Sequence, residues 1–218
     1  MARPDLPLAP RVSPPDLPRE LAEVAGLRSY DDIVRARIGD LGAQTDASHA
    51  AVTECEVVGA TVERLDLTGA TLVDVRVEGL RATAVTAREA RLRRVLISGG
   101  RIGTLDLANA AADEVELRGI RIDYLSLAAA KVEDLRIVDC TITTLDLPQA
   151  TLSRVRFEST RADEVDTRGM RADSLDLRGL DAASYLDAAS LRGATLTPWQ
   201  IEQLAPALAA SVGIDVRD

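Results

Sequence analysis

The segment TVERLDLTGATLVDVRVEGL, residues 61–80, contains four copies of one five-residue pattern. Val62, Leu67, Leu72 and Val77 mark the centres, and each follows a second apolar residue two positions earlier: Ala60, Leu65, Ala70 and Val75. The register runs outward without a slip from Ala50 to Ser184. It has 27 centres, from Val52 to Ala182, and only Thr167 among them is polar. The earlier apolar position fails only at Gly100 and Thr160, and the residue between is apolar only at Ala51, Leu96 and Ala111. Self-similarity at a fixed short period decides architecture before any single motif does.

A five-residue period fits neither common template. On a helix it walks around the axis, and along one straight strand the two-residue alternation breaks once per unit. It fits a short extended piece with two inward residues, then a turn. The earlier inward position repeats every twenty residues: Ala at 50, 70, 90, 110, 130 and 150, and Val or Leu at 75, 95, 115, 135, 155 and 175. Gly recurs at 59, 79, 99 and 119, and again at 179. Twenty residues per coil means four sides, so the sequence predicts an all-β square solenoid. Its coils stack at strand spacing, and 6.75 of them make a rod roughly 30 Å long.

Units such as Leu65-Asp66-Leu67-Thr68-Gly69, Leu175-Asp176-Leu177-Arg178-Gly179 and Ala189-Ser190-Leu191-Arg192-Gly193 resemble those of the pentapeptide-repeat family. The resemblance implies a right-handed quadrilateral β-helix. It covers about two thirds of the chain, with an aliphatic core where relatives often stack Phe; aromatic residues are only 2% here.

The ends read differently. Residues 1–16 form a proline-rich arm, expected to be mobile: six of the nine prolines lie within the first 18 residues. Residues 17–44 form an N-terminal cap, helical or extended. Leu17, Leu21 and Val24 stand at helical spacing after Asp16 as N-cap. Ser29 and Asp32 could form a capping box, yet Val34, Ala36 and Ile38 alternate like a strand, the preferred reading. The cap should cover the open edge of the first coil. The β-helix spans residues 45–197, with a phase shift near Tyr185 followed by two further units at Ala189 and Ala194. Residues 198–218 form a capping helix and tail: Thr197 as N-cap, Pro198 at the first position, and Gln200 as capping-box partner. Ile201, Leu204, Leu208 and Val212 make one stripe, and Gly213 ends the helix. The resemblance implies that this helix also carries a two-fold dimer contact, with Trp199, Ile201, Leu204 and Leu208 as the cap and dimer residues.

No constellation for catalysis appears, so the chain is read as a non-enzyme with no cofactor and no metal. The single His49 sits at an outward corner, and one His without a cysteine cluster makes no zinc site. Cys55 and Cys140 occupy inward positions more than four coils apart, roughly 20 Å along the axis, too far for a disulfide. Both read as small buried residues suited to a reducing, cytoplasmic setting. No run of about 18 apolar residues or secretory leader is present, so no membrane association is expected.

What remains is the charged surface. Asp46, Asp66, Asp106, Asp146 and Asp166 share one phase and should stack on one side, the first candidate for partner binding. Like charges that close should raise at least one of their pKa values. Arg81, Arg101, Arg121 and Arg161 share the phase five residues on, the second candidate side. A net charge of −9 opposes direct nucleic-acid binding. The residues therefore suggest a scaffold that binds a protein partner through a flat charged side. The family resemblance implies an alternative: some members are acidic dimeric rods that mimic duplex DNA, bind DNA gyrase and protect it from quinolones. Residues 45–197 carry 25 acidic and 19 basic side chains. Duplex DNA of the same length carries roughly 18 net negative charges, against a net of −6 here.

Overall fold

The computed structural model describes residues 6–217, and its repeat region is a four-sided coil of parallel strands. Four short strands precede the regular coils: β1 (Ala22–Val24), β2 (Asp32–Val34), β3 (Ala36–Ile38) and β4 (Gln44–Asp46). The first full coil holds β5 (Ala51–Val58) and β6 (Thr61–Asp66). Each of these wraps two sides. In β5 the bend falls at Glu54, whose φ is 55°. In β6 it falls where Glu63 and Arg64 are exposed in succession, which breaks the two-residue alternation. His49 (φ 59°) and Gly59 (φ 65°) turn the other two corners. Three corners of each coil thus use the left-handed backbone region, except in the last coil, where Gly179 does not.

Successive coils pair in parallel with a twenty-residue offset, as in Val52↔Leu72 and Leu65↔Val85. Among the described residues this builds an eleven-stranded and an eight-stranded sheet. The rod exceeds the 6.75 coils of the strict repeat because residues 32–46, which lack the pentapeptide pattern, wind one more coil before it. Backbone N–H groups of one coil donate to carbonyls of a neighbouring coil, as in Leu67 to Thr86 and Arg91 to Ala70, so the stack supplies its own hydrogen-bond partners without a closing barrel.

The inward residues form columns. Val62, Ala82, Ile102, Ile122, Ile142 and Ala162 make one; Leu67, Ala87, Leu107, Leu127, Leu147 and Thr167 make another, all buried. The three breaks in the pattern have local causes. At Gly100 (φ 86°) a Cβ would lie 2.1 Å from the Leu80 carbonyl oxygen, so only glycine fits. Thr160 Oγ1 donates to the Glu158 carbonyl (2.9 Å) and accepts from the Cys140 N–H (3.3 Å). Thr167 Oγ1 donates to the Leu186 carbonyl at 2.7 Å. Cys55 and Cys140 are free and buried, and burial pushes both thiols up from their ordinary pKa.

The N-terminal cap departs from the helical reading of residues 17–27. Ala22–Val24 is a strand that pairs with Ala36–Ile38. Pairing with an open coil edge outweighs a short local helical pattern, which is marginal on its own. The strand reading of 34–38 is right for β3, while Arg35 (φ 56°) makes a corner between β2 and β3. Instead of a capping box, Asp31 accepts the Arg28 N–H at 2.8 Å in a tight turn.

At the other end, α1 (Pro198–Ser211) starts with the expected capping box: Gln200 N–H to Thr197 Oγ1 at 3.2 Å and Thr197 N–H to Gln200 Oε1 at 2.8 Å. Gln200 has a second task. Its Nε2 donates to the Leu177 and Leu180 carbonyls at 2.7 and 2.8 Å, satisfying acceptors that no further coil can reach. The unit 189–193, despite its pentapeptide sequence, lies in and just after a 3₁₀ turn, Ala188–Leu191. Only Ala194–Thr195 returns to strand pairing.

An apolar cavity of about 70 Å³ lies in the first half of the core, among Leu67, Ala87, Leu107 and their neighbours. Ala87 interrupts the leucines at 67, 107, 127 and 147. Ala87→Leu should therefore raise stability by about 2 kcal/mol, from added burial and a smaller cavity. Leu127→Ala, at a buried position, should cost about 2–5 kcal/mol. Urea midpoints of the two variants check both signs.

Candidate functional site: charged ladders and a docked arm

The Asp series does stack. Asp46, Asp66, Thr86, Asp106, Ser126, Asp146 and Asp166 are register partners in consecutive coils. Four of the five carboxylates are turned to the backbone of their own turn. Asp46, Asp66, Asp106 and Asp166 accept the N–H two residues on, at 2.8 to 3.0 Å. This is the Asx-turn geometry that short acidic side chains favour. Asp146 cannot follow, because Pro148 has no N–H; the Tyr124 hydroxyl donates to it at 2.8 Å instead. Arg88 pairs with Asp106, and Arg168 forks onto Asp166. The expected upward pKa shift is not seen at two of these sites. The Ser48 hydroxyl and N–H hold Asp46 below the usual carboxylate range, and Arg168 does the same for Asp166.

The Arg series also stacks, in the same eight-stranded sheet but on the neighbouring side. Arg81, Arg101 and Arg121 are direct partners; Thr141 then separates them from Arg161. Their guanidiniums share few carboxylates, and Arg161 pairs with Asp163 at 3.6 Å. Asp123 lies between two of them, 3.0 Å from Arg101 and 3.6 Å from Arg121, and the arginine side chains remain more than half exposed. Among the described residues Arg81 forms no ion pair. A shallow hollow lies beside it, lined by Thr61, Arg81, Thr83, Arg101, Gly103 and Asp123.

A third ladder was missed in the sequence. The corner residues Glu54, Asp74, Arg94, Glu114, Asp134 and Arg154 all have positive φ and stand one above another. Their order repeats acid, acid, base every three coils, so each arginine reaches back one coil. Arg94 grips Asp74 with both forks (2.6 and 2.5 Å), and Arg154 grips Asp134 at 2.7 Å twice. The signal was present: every residue at this phase from 54 to 154 is charged. Reading outward charges as solvent-facing hid it.

The proline-rich arm lies on that ladder. Arg11 N–H donates to Asp134 Oδ1 (2.8 Å), Ser13 N–H to Glu114 Oε2 (3.2 Å) and Asp16 N–H to Asp74 Oδ1 (3.0 Å). Pro15 is buried. The expectation of a free arm thus gives way for residues 6–16, while residues 1–5 lie outside the described residues. The cause is backbone chemistry: prolines keep the chain extended, and the few remaining N–H groups find carboxylates.

Of the C-terminal residues expected to close the rod, Leu204 is buried and Leu208 packs against the core, whereas Trp199 and Ile201 stay exposed. Among the described residues, no helix is long and apolar enough to cross a membrane and no group of three or more potential ligands could hold a metal.

The arm contacts should respond to acid. Arg94 first, then the Asp16 N–H and Arg93, hold Asp74 below its ordinary pKa against the effect of burial. Burial works against the Asp134 carboxylate, but Arg154 and the Arg11 N–H more than offset it. Folded-state values that are depressed stabilise above the ordinary value of 3.8 and lose that contribution as pH falls through them. Protection of the Arg11 and Asp16 amides, relative to the same amides in a free peptide at the same pH, should therefore persist at pH 5 and fall below pH 3.8.

No family model matches the chain, and no curated protein matches it. Among solved structures, two trypsin-treated forms of QnrB1, a plasmid-mediated fluoroquinolone resistance protein, align with it. They show 14% and 16% identity, cover 90% and 89% of this chain and 96% and 99% of theirs, and give TM-scores of 0.34 and 0.33. HetL, a pentapeptide repeat protein involved in heterocyst differentiation regulation in the cyanobacterium Nostoc sp. strain PCC 7120, shows 17% identity. It covers 84% of this chain and 92% of its own, with a TM-score of 0.34. Likeness at this level carries no functional argument. The architecture stands on this chain's own register and corners: five residues to a side, four sides to a coil, a pentapeptide-repeat β-helix closed by one helix.

Proposed function

We propose that this protein is a non-enzymatic scaffold that binds an acidic segment of a protein partner through the side carrying Arg81, Arg101 and Arg121. The observation that carries this reading is the incomplete neutralisation of that row: three guanidiniums in consecutive coils against the single Asp123. Arginine forks suit carboxylates at such a spacing. The Asp ladder supports binding less well, because its carboxylates already serve their own turns. A protein partner is favoured over nucleic acid by the net charge of −9, which repels phosphate at long range. The free, buried thiols suit a cytoplasmic setting.

Gyrase binding by DNA mimicry is the second reading. It has in its favour the acidic residues in register along one side, and against it their pairing with Arg88 and Arg168. Self-association through the exposed Trp199 and Ile201 belongs to the same proposal, and light scattering of the native chain at rising concentration reads it directly.

The charge-reversed variant R81E/R101E/R121E separates these readings. It should keep the parent's melting temperature within a few degrees, since exposed charges contribute little to stability. It should lose the partners that crosslink to the native chain. Retention of the same partners with unchanged affinity refutes the arginine side. Gyrase supercoiling with and without quinolone, unaffected by either protein, removes the mimicry reading.

A further inference from the structure

The arm and the corner ladder match each other in a way that one fortuitous contact does not explain. From Arg11 to Asp16 is five residues, roughly 15 Å for a polyproline II chain. From Asp134 to Asp74 is three coils, roughly 14 Å at strand spacing. The arm thus climbs the rod at about one and a half residues per coil, a rate set by both backbones. The chemistry matches as well. Carboxylates stand at 134, 114 and 74, where the arm presents the N–H groups of Arg11, Ser13 and Asp16. Between 114 and 74 stands Arg94, which cannot accept a hydrogen bond. There the arm presents Pro14 and Pro15, which cannot donate one.

The acceptors are held in place independently of the arm. Asp134 Oδ1 takes both Arg154 Nε and the Arg11 N–H; Asp74 Oδ1 takes both Arg94 Nε and the Asp16 N–H. The two aspartates are thereby fixed by arginines of the next coil, with a lone pair left for an extended chain. Val12, Pro15 and Pro18 stand three apart, one face of a threefold polyproline II helix, and are less exposed than Arg11, Ser13, Pro14 and Asp16. The contacts from ladder to arm are to backbone N–H groups, so they demand a spacing of donors and prolines rather than this particular chain.

We infer that the corner ladder Asp74–Glu114–Asp134 is a docking track for an extended, proline-punctuated segment of a partner protein, and that residues 6–16 occupy it in cis as a competing strap. The track lies away from the arginine side, so this inference stands or falls independently of the proposed function. A partner segment displaces the arm by offering the same register of donors.

The test uses a fluorescein-labelled peptide spanning Leu6–Glu20 and three forms of the full chain. Variant R11P/S13P removes two arm donors while keeping the arm extended. The peptide should bind it saturably, and should bind the native chain at least tenfold more weakly, because a tethered arm competes at an effective concentration on the order of millimolar. Adding D74A/E114A/D134A to R11P/S13P should abolish binding. A control peptide with Ala at all five prolines should bind at least tenfold more weakly than the parent peptide. The inference is overturned by absence of saturable binding to R11P/S13P at millimolar peptide. Equal binding to the native chain, binding that survives the alanine substitutions, or an undiminished all-Ala peptide overturns it as well. A separate measurement needs no variant: amides of Arg11, Ser13 and Asp16 should exchange at least tenfold more slowly than in the free peptide, and unprotected amides refute the strap.

Discussion

Everything in this structure follows from the ladder of backbone hydrogen bonds between coils. Each coil pairs with the next at strand spacing, so a residue has as its nearest neighbours the residues twenty before and twenty after it. The chain must also turn a corner every five residues to return to the same column. Two consequences are immediate. Only two residues per side can point inward, which sets the apolar pattern. The corners need an unusual backbone, which three of the four take in the left-handed region.

The same ladder creates an electrostatic problem, because like residues at like phase stack closely. The chain solves it differently at each phase. In the Asp column the carboxylates turn toward N–H groups of their own turn. In the 54-phase corner column, arginine follows two acids and neutralises the one below it. Beside it, Glu56 lies between Arg37 and Arg76, and Arg136 between Glu116 and Glu158. In the Arg81–Arg121 row three positive charges in adjacent coils oppose one another and share the single Asp123. Such an arrangement does not serve the fold, and the proposed partner contact rests on it.

The inward columns were legible in the sequence because a buried column admits little variety: Val, Leu, Ile, Ala and their few local exceptions. The capping box at Thr197 was legible because it is a contact between near neighbours. Three features were not. Residues 17–27 carry a helical spacing, but their fate is decided by the open edge at Ala36–Ile38, a contact that local propensity does not encode. The Asp column was read as a recognition side because its periodicity is visible, whereas the N–H groups two residues on are not. The arm was read as free because its contacts are made by backbone N–H groups, which leave no side-chain signature; only the spacing of prolines against the charged corner phase holds that information.

Side availability then narrows what the rod can do. The first coil's edge is covered by β1 to β3, and the last by α1, with Gln200 answering the final carbonyls. One corner is occupied along three coils by the chain's own arm. The Asp column faces its own turns. The arginine side is the surface with exposed, incompletely paired charge in register, and it lies on the other sheet from the corner that the arm covers. A partner on the arginine side need not contend with the arm, and one that displaces the arm need not touch the arginines. The two proposed recognition surfaces are thus separable, one read by charge and one by backbone register, and both depend on stacking at twenty-residue intervals.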